Sequence, residues 1–99
     1  MTAAERIPVM VSTWSFGLRG HAVAWPGLAA GGSSLDAIVE SCCAIELDEE
    51  IDSVGYGGLP DAEGRMTLDG CVMTSPSSCG SVCCLRRHLH PVRIARMVM

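Results

Sequence analysis

The sequence contains no lysine, asparagine or glutamine, and its aromatic content is 4%: two tryptophans, one tyrosine and one phenylalanine. All seven basic residues are therefore arginine, against 11 acidic ones, for a net charge of −4. Arg86, Arg87, Arg93 and Arg96 cluster, but no aromatic residue interleaves them and the chain is acidic, which argues against a nucleic-acid partner. Long hydrophobic runs are missing too. Glu, Asp or Arg punctuates every apolar segment short of the roughly 18 residues a membrane span needs, so no membrane partner is expected. Ile7 to Val11 is shorter than the about 7–15-residue centre of a secretory signal, which makes a cytoplasmic location the default. Six cysteines fall below the ~8–10% that marks a disulfide scaffold. The adjacent pairs Cys42-Cys43 and Cys83-Cys84 do not look like a disulfide framework, and without an export signal they are expected to be reduced.

What is present suits one small folded domain: 99 residues, 48% apolar, with a positive mean hydropathy. A disordered tail is expected over residues 1–6 and a folded region over 7–99. Ile7 to Thr13 is a nearly continuous β-branched and apolar run, read as a strand buried on both faces. It breaks at Trp14-Ser15-Phe16-Gly17, where two large aromatics flank a serine at the mouth of the strand. Such a place suits binding residues, although capping of the core is the simpler reading. Ala22, Trp25, Leu28 and Ala29 recur at helical spacing and Gly31-Gly32 stops them; Pro26 fits if that helix begins near Val23 or Ala24. Ser33 with Asp36 is a plausible capping pair for a second helix, with Leu35, Ile38, Val39 and Cys42 as its apolar stripe and its end near Leu47. The acidic run Glu46, Asp48, Glu49, Glu50, Asp52 reads as a solvated loop after it.

Asp52 to Asp61 alternates small and apolar residues like a strand, yet places glycine at 55, 57 and 58, where glycine weakens a strand unless something approaches the backbone closely. With the turn Pro60 to Gly64 and the apolar run Met66 to Met73, it reads as a hairpin. Thr74 to Cys79 is a loop and Gly80 to Leu85 a third strand. His90-Pro91 opens a helix with Val92, Ala95, Val98 and Met99 on one side. Strands buried on both faces require a covering layer on each side. Two complete helices and the start of a third leave one layer unfilled, so the expectation is part of a larger domain.

Chemistry is not identified by spacing. Cys79, Cys83, Cys84, His88 and His90 lie close in sequence, but four residues of strand rise about 13 Å, so Cys79 and Cys83 cannot share one ion. Cys71 or Cys79 with His88 or His90 lacks any local nucleophile signature. Asp61 and Asp69 are a possible acid/base pair, with Asp61 better suited to serving its turn.

Val11-Ser12-Thr13-Trp14-Ser15-Phe16-Gly17, Ala24-Trp25, Gly31-Gly32-Ser33-Ser34-Leu35-Asp36-Ala37, Ser53-Val54-Gly55-Tyr56-Gly57-Gly58-Leu59-Pro60-Asp61 and Thr67-Leu68-Asp69 resemble, in order and spacing, the start of the glycosylasparaginase (aspartylglucosaminidase) family. Gly80-Ser81-Val82 and His90-Pro91-Val92 with Ala95-Arg96 continue the match. The resemblance covers about residues 7 to 99. It implies an α/β (α+β) fold, the N-terminal part of a four-layer αββα N-terminal-nucleophile hydrolase sandwich that is incomplete in this chain. It also implies a precursor that cuts itself before a threonine, whose free α-amino group then serves as base while its hydroxyl attacks the side-chain amide of a glycosylated asparagine.

By residue, Trp14 matches the family tryptophan beside the nucleophile and substrate, which lifts its binding role above core capping. Ser15 and Phe16 share its loop. Gly55, Gly57 and Gly58 match the family's glycine-rich strand and are expected to pack closely near the site. The nucleophile falls beyond the family's equivalent of Met99, so the chain alone is expected to be inactive; Thr13, Thr67 and Thr74 match no family nucleophile. No cofactor or metal is implied. The implied partners are an asparagine-like substrate, the remainder of the hydrolase domain (the β chain), and a second α/β unit in a dimer. Glu46 and Ile51 stand at or near positions that are cysteines in lysosomal members, so Cys43 lacks their local disulfide partner. Plant-type asparaginases and isoaspartyl peptidases begin with a different glycine-rich strand, and Val-Ser-Thr-Trp points to the glycosylasparaginase branch. The competing readings are a truncated non-catalytic remnant or interaction module and, further off, a Cys/His metal module.

Overall fold

The computed structural model describes residues 6–99; most of the expected tail 1–6 lies outside that range. The element order is α1 (Gly17–Ala29), α2 (Ser34–Glu46), a 3₁₀ turn at Gly55–Gly57, β1 (Leu68–Ser75), β2 (Ser78–Leu85) and α3 (Pro91–Val98). The class is α+β, as expected.

The first departure is Ile7 to Thr13, which forms no strand and leaves Ile7, Val9 and Val11 at 86%, 73% and 87% exposure. β-branched residues favour extended backbone, but a strand needs a neighbour to take its N–H and C=O groups. The described sheet holds only β1 and β2.

The second departure is α1, which starts at Gly17 and keeps Pro26 inside it. Its first turn is closed by backbone alone: the N–H groups of Gly17, Leu18 and Arg19 donate to the carbonyls of Trp14, Ser15 and Phe16 at 3.0, 3.2 and 3.0 Å. Trp14 to Phe16 is thus the entry to a helix rather than a break after a strand. Pro26 removes one bond from the ladder, and the turn beyond it is held by Ala30 N–H to the Pro26 carbonyl at 3.1 Å. The helix stops where expected. Gly31 takes φ 95°, its N–H reaches the Leu28 carbonyl, and Gly32 N–H reaches that of Gly27 at 2.9 Å, which together satisfy the orphan carbonyls of the last turn.

α2 follows its sequence signals at both ends. Ser33 Oγ accepts from Asp36 N–H at 2.9 Å, and Leu47 is the C-cap. Its buried set is wider than one stripe: Ala37, Val39, Ser41, Cys43, Ile45 and Glu46, because α1 lies against one side and the hairpin with α3 against the other. Small residues set the first contact, with Gly20 and Ala24 of α1 facing α2 so closely that a Cβ at Gly20 would overlap Ser41. Cys42 and Ile38 are therefore exposed, and Cys43 is the core cysteine. Glu46 is likewise no part of a solvated loop; it is 7% exposed.

Asp52 to Asp61 is not a strand, and the hairpin lies one segment later. β1 pairs antiparallel with β2 in the register Gly70↔Val82, Cys71↔Ser81, Val72↔Gly80 and Met73↔Cys79, with irregularities near each end. The strand expected at Gly80 to Leu85 is therefore present, and the run Met66 to Met73 supplies its partner. Neither strand is buried on both faces. Val72 and Gly80 are buried beneath α3, whereas Cys71, Met73, Cys79 and Ser81 are exposed on the opposite side. α3 begins at Pro91 as expected and adds Val92 and Ala95 to a core that also contains Val39, Cys43 and Val72, flanked by Leu35, Val82 and Met99. Val98 points outward.

Ion pairs tie the outer surfaces: Arg96 to Asp36 at 2.8 Å joins α3 to α2, and Arg19 to Asp48 joins α1 to the loop after α2. The Arg96 guanidinium, then the Ser33 hydroxyl, hold the Asp36 carboxyl below its ordinary value of 3.8. A depressed carboxyl contributes stability above its unfolded pKa and loses it as pH falls through the folded one. Acidification below pH 3.8 should therefore destabilise the native chain more than an Arg96→Ala variant. The difference, read by thermal melts at low salt, should vanish near 1 M salt, where the screening length is about 3 Å. Ser33→Ala should cost about 1 kcal/mol, read as a shifted denaturation midpoint with an unchanged slope.

Candidate functional site

The segment between the coil and α1 positions the residues singled out for binding. Trp14 and Phe16, two apart in the tight turn that opens α1, stack with centroids 6.5 Å apart and planes 11° from parallel. Trp14 remains 67% exposed, so among the described residues it does not cap the core. Ser15 is exposed beside it, with its carbonyl spent on Leu18 N–H.

These aromatics border a cleft of about 370 Å³. Its walls are the Val11–Gly17 segment, the last turns of α2 at Ser41 and Glu46, the turn at Gly55, and the junction of β1 with α3 at Gly70 and Pro91. The structure thus brings Trp14, Phe16 and Gly55 to one cavity. Ser15, Gly57 and Gly58 are not among its lining residues.

The glycines do accept a close backbone approach, but from a different neighbour than a sheet. Gly55 takes φ 66° and lies so close to the Glu46 backbone that a Cβ would overlap it. A Cβ on Gly57 would meet the Ile51 and Glu49 carbonyls at 2.5 and 2.6 Å. The last turn of α2 and the loop after it, not a strand, are what these positions leave room for. Gly58 is less tight, with the Gly55 carbonyl at 3.0 Å and the Met66 methyl at 3.4 Å.

The residue that sequence reasoning missed is Glu46, which lines the cleft and is nearly buried. Its Oε1 lies 3.1 Å from His90 Nδ1, and its Oε2 accepts the Val92 N–H at 3.1 Å. Burial pushes the carboxyl above its ordinary range, opposed by the hydrogen bonds from His90 and Val92 and by the charges of His90 and Arg93. Cys43, one turn earlier, has its thiol raised by burial against the pull of Arg93. Cys43 Sγ, a Glu46 oxygen and a His90 ring nitrogen lie within 4.8 Å of one another. A sequence signal existed: Glu46 sits three residues after Cys43, on the inward face of α2.

The other sequence candidates are committed elsewhere. Asp61 serves its turn, accepting from Glu63 and Arg65 N–H at 2.9 and 2.8 Å, and Asp69 accepts from Cys84 N–H at 2.8 Å. Cys71 and Cys79 are exposed on the outer sheet face, and His90 faces Glu46 instead of either. Ser12 Oγ and His21 Nε2 are 2.5 Å apart, a pair with no sequence signature at that spacing. The N–H groups opening α1 nearby are all occupied by carbonyls, so they offer no oxyanion donors. The arrangement can grip an apolar or planar group on the aromatic pair and place polar atoms against the Glu46 rim. Among the described residues it does not assemble nucleophile, base and oxyanion donors together.

Gly55→Ala should cost about 3 kcal/mol, combining left-handed backbone strain with overlap on Glu46. Gly64→Ala, at φ 78° with nothing within 4 Å of its Cβ position, should cost about 1–2 kcal/mol from strain alone. Chemical denaturation of the two variants checks the difference.

The family model described as asparaginase matches residues 18–99. The N(4)-(beta-N-acetylglucosaminyl)-L-asparaginase of Elizabethkingia miricola is 45% identical over 93% of this chain and 27% of its own length. The protein of the same name from Rattus norvegicus is 38% identical over 94% of the chain and 27% of its own length. A probable isoaspartyl peptidase/L-asparaginase 3 from Arabidopsis thaliana is 35% identical over 100% of the chain and 28% of its own length. The chain spans just over a quarter of the length of these relatives.

Proposed function

The chain belongs to the asparaginase family, and from that premise we propose that it is the N-terminal segment of a glycosylasparaginase-type amidohydrolase that cleaves the amide bond between N-acetylglucosamine and asparagine. The observation that carries this reading is the 45% identity, over 93% of the chain, to a relative named for that activity. The exposed Trp14–Phe16 stack at the rim of the cleft supports it, because an aromatic face suits the apolar side of a sugar or the planar amide it is joined to.

The chemistry implied is nucleophilic acyl transfer from an N-terminal threonine whose own α-amino group is the base. Threonines inside the chain, Thr13, Thr67 and Thr74, have no free amine and cannot act in this way. On this reading the nucleophile, the oxyanion donors and the groups that hold the substrate's α-carboxylate and α-amino group come from the remainder of the hydrolase domain. The outer face of the hairpin, where Cys71, Met73, Cys79 and Ser81 are exposed, supports this, since a second sheet of a four-layer αββα sandwich would cover it. The complete enzyme is then a dimer of α/β units without nucleic-acid or membrane partners and without a cofactor, in the cytoplasm. Among the described residues, no helix is long and apolar enough to cross a membrane.

The 99-residue chain should release no aspartate from N-acetylglucosaminyl-asparagine, whereas a family-length polypeptide carrying the threonine should. In that active form Trp14→Ala should lower kcat/KM by about tenfold to a hundredfold, or about 1.4–2.7 kcal/mol. Trp14→Phe should retain most of the activity. Turnover by the short chain alone, or full activity in Trp14→Ala, would contradict the proposal.

A further inference from the structure

Cys43, Glu46 and His90 bring one sulfur, one oxygen and one nitrogen atom together in a largely buried set to which neither the family resemblance nor the proposed chemistry assigns a role. Cys43 and Glu46 are three apart on α2, so their side chains leave the same face of the helix. His90 reaches them from the residue preceding α3. Cys43 and Glu46 are buried and His90 is partly so, and their ligand atoms lie within 4.8 Å of one another. Tetrahedral zinc bonds of about 2.0–2.3 Å place ligand atoms roughly 3.3–3.8 Å apart. The Glu46–His90 pair, at 3.1 Å, is already that close, and Cys43 Sγ, within 4.8 Å of both, would close in by at most about 1 Å, within the reach of small χ adjustments.

We propose that Cys43, Glu46 and His90 bind a borderline divalent cation of the zinc type, which pins α2 to the start of α3. The donor set fits that class. Thiolate, imidazole and carboxylate together select zinc-like ions over magnesium or calcium, which take oxygen ligands only. The Val92 N–H, bonded to Glu46 Oε2 at 3.1 Å, fixes the carboxylate so that Oε1 points at His90, the outer-sphere support that ligating carboxylates need. On binding, the Cys43 thiol gives its proton to solvent, and His90 ligates as neutral imidazole with its proton on the other ring nitrogen. Three protein ligands leave a fourth position for water; Glu46 also lines the cleft, which gives solvent access on that side. The opposing charge is Arg93, whose positive charge favours the ionised forms of Cys43 and Glu46 and whose residue is exposed.

The test is titration of the purified, reduced protein with cobalt(II), whose sulfur-to-metal charge-transfer band and strong visible absorption report a tetrahedral thiolate site. One equivalent should bind and be displaced by zinc, and zinc should raise the melting temperature. Cys43→Ser should abolish the charge-transfer band. His90→Gln, which can still donate to Glu46 and so keep the fold, removes a direct ligand and should weaken binding by more than the about tenfold to hundredfold that loss of an outer-sphere partner costs. Arg93→Ala should tighten it, and the paired change Cys83→Ser with Cys84→Ser should leave it unchanged. Absence of a charge-transfer band would overturn the proposal. A band that survives Cys43→Ser and His90→Gln but disappears with Cys83→Ser and Cys84→Ser would also overturn it, placing the metal on the exposed cysteine pair.

Discussion

The arrangement depends on one buried carboxylate. Glu46 sits in the last turn of α2, where the negative end of that helix's dipole disfavours an acid, yet it is almost wholly enclosed. What compensates is the opposite end of another helix. α3 opens with His90, which makes no cap to its own helix, and Pro91, which has no N–H to satisfy. Its first free donor is the Val92 N–H, which Glu46 takes, so the carboxylate caps α3 from a different element. With the His90 ring on the other oxygen, both carboxylate oxygens have partners, which is the condition for tolerating such a group inside a protein. The α1–α2 pair and the hairpin with α3 meet through this joint, and the cleft beside Trp14 runs along it.

Sequence signals were legible where the deciding interaction is local. The Ser33 cap, the glycine stop after α1 and the proline that opens α3 are satisfied within a few residues of chain, and all three appear where the residues place them. Local signals failed where a distant partner decides. Ile7 to Thr13 has the composition of a buried strand but no described neighbour to pair with. Cys42 fits a single apolar stripe, whereas α2 is packed on two sides, and that makes Cys43 the inward residue. Pro26 argued for a late start to α1, but proline at the tenth position of thirteen is compatible with a helix whose last turn is closed by carbonyls beyond it.

The glycine-rich stretch separates two inferences that look alike on paper. Several glycines in a short alternating segment require that a backbone come close, and one does, but that requirement does not say which. At Gly55 the neighbour is the end of α2, and the positive φ there turns the chain out of any extended path. Glycine placement therefore carried a correct statement about distance and an incorrect one about secondary structure.

The site was legible to a different degree again. Trp14 and Phe16 stand out because aromatics are scarce and sit together at the entry to a helix, a position that depends on nothing remote. The proposed reaction is not readable from spacing, for a chemical reason. An N-terminal nucleophile draws its base from the α-amine that a backbone cut exposes, so no pair of side chains at a fixed interval announces it. Only resemblance across an ordered series of segments can carry that information into a quarter-length chain. On the proposed function, the aromatic stack and the capped carboxylate are what such a segment would contribute: a wall held by its own hydrogen bonds, against which a nucleophile from elsewhere would work.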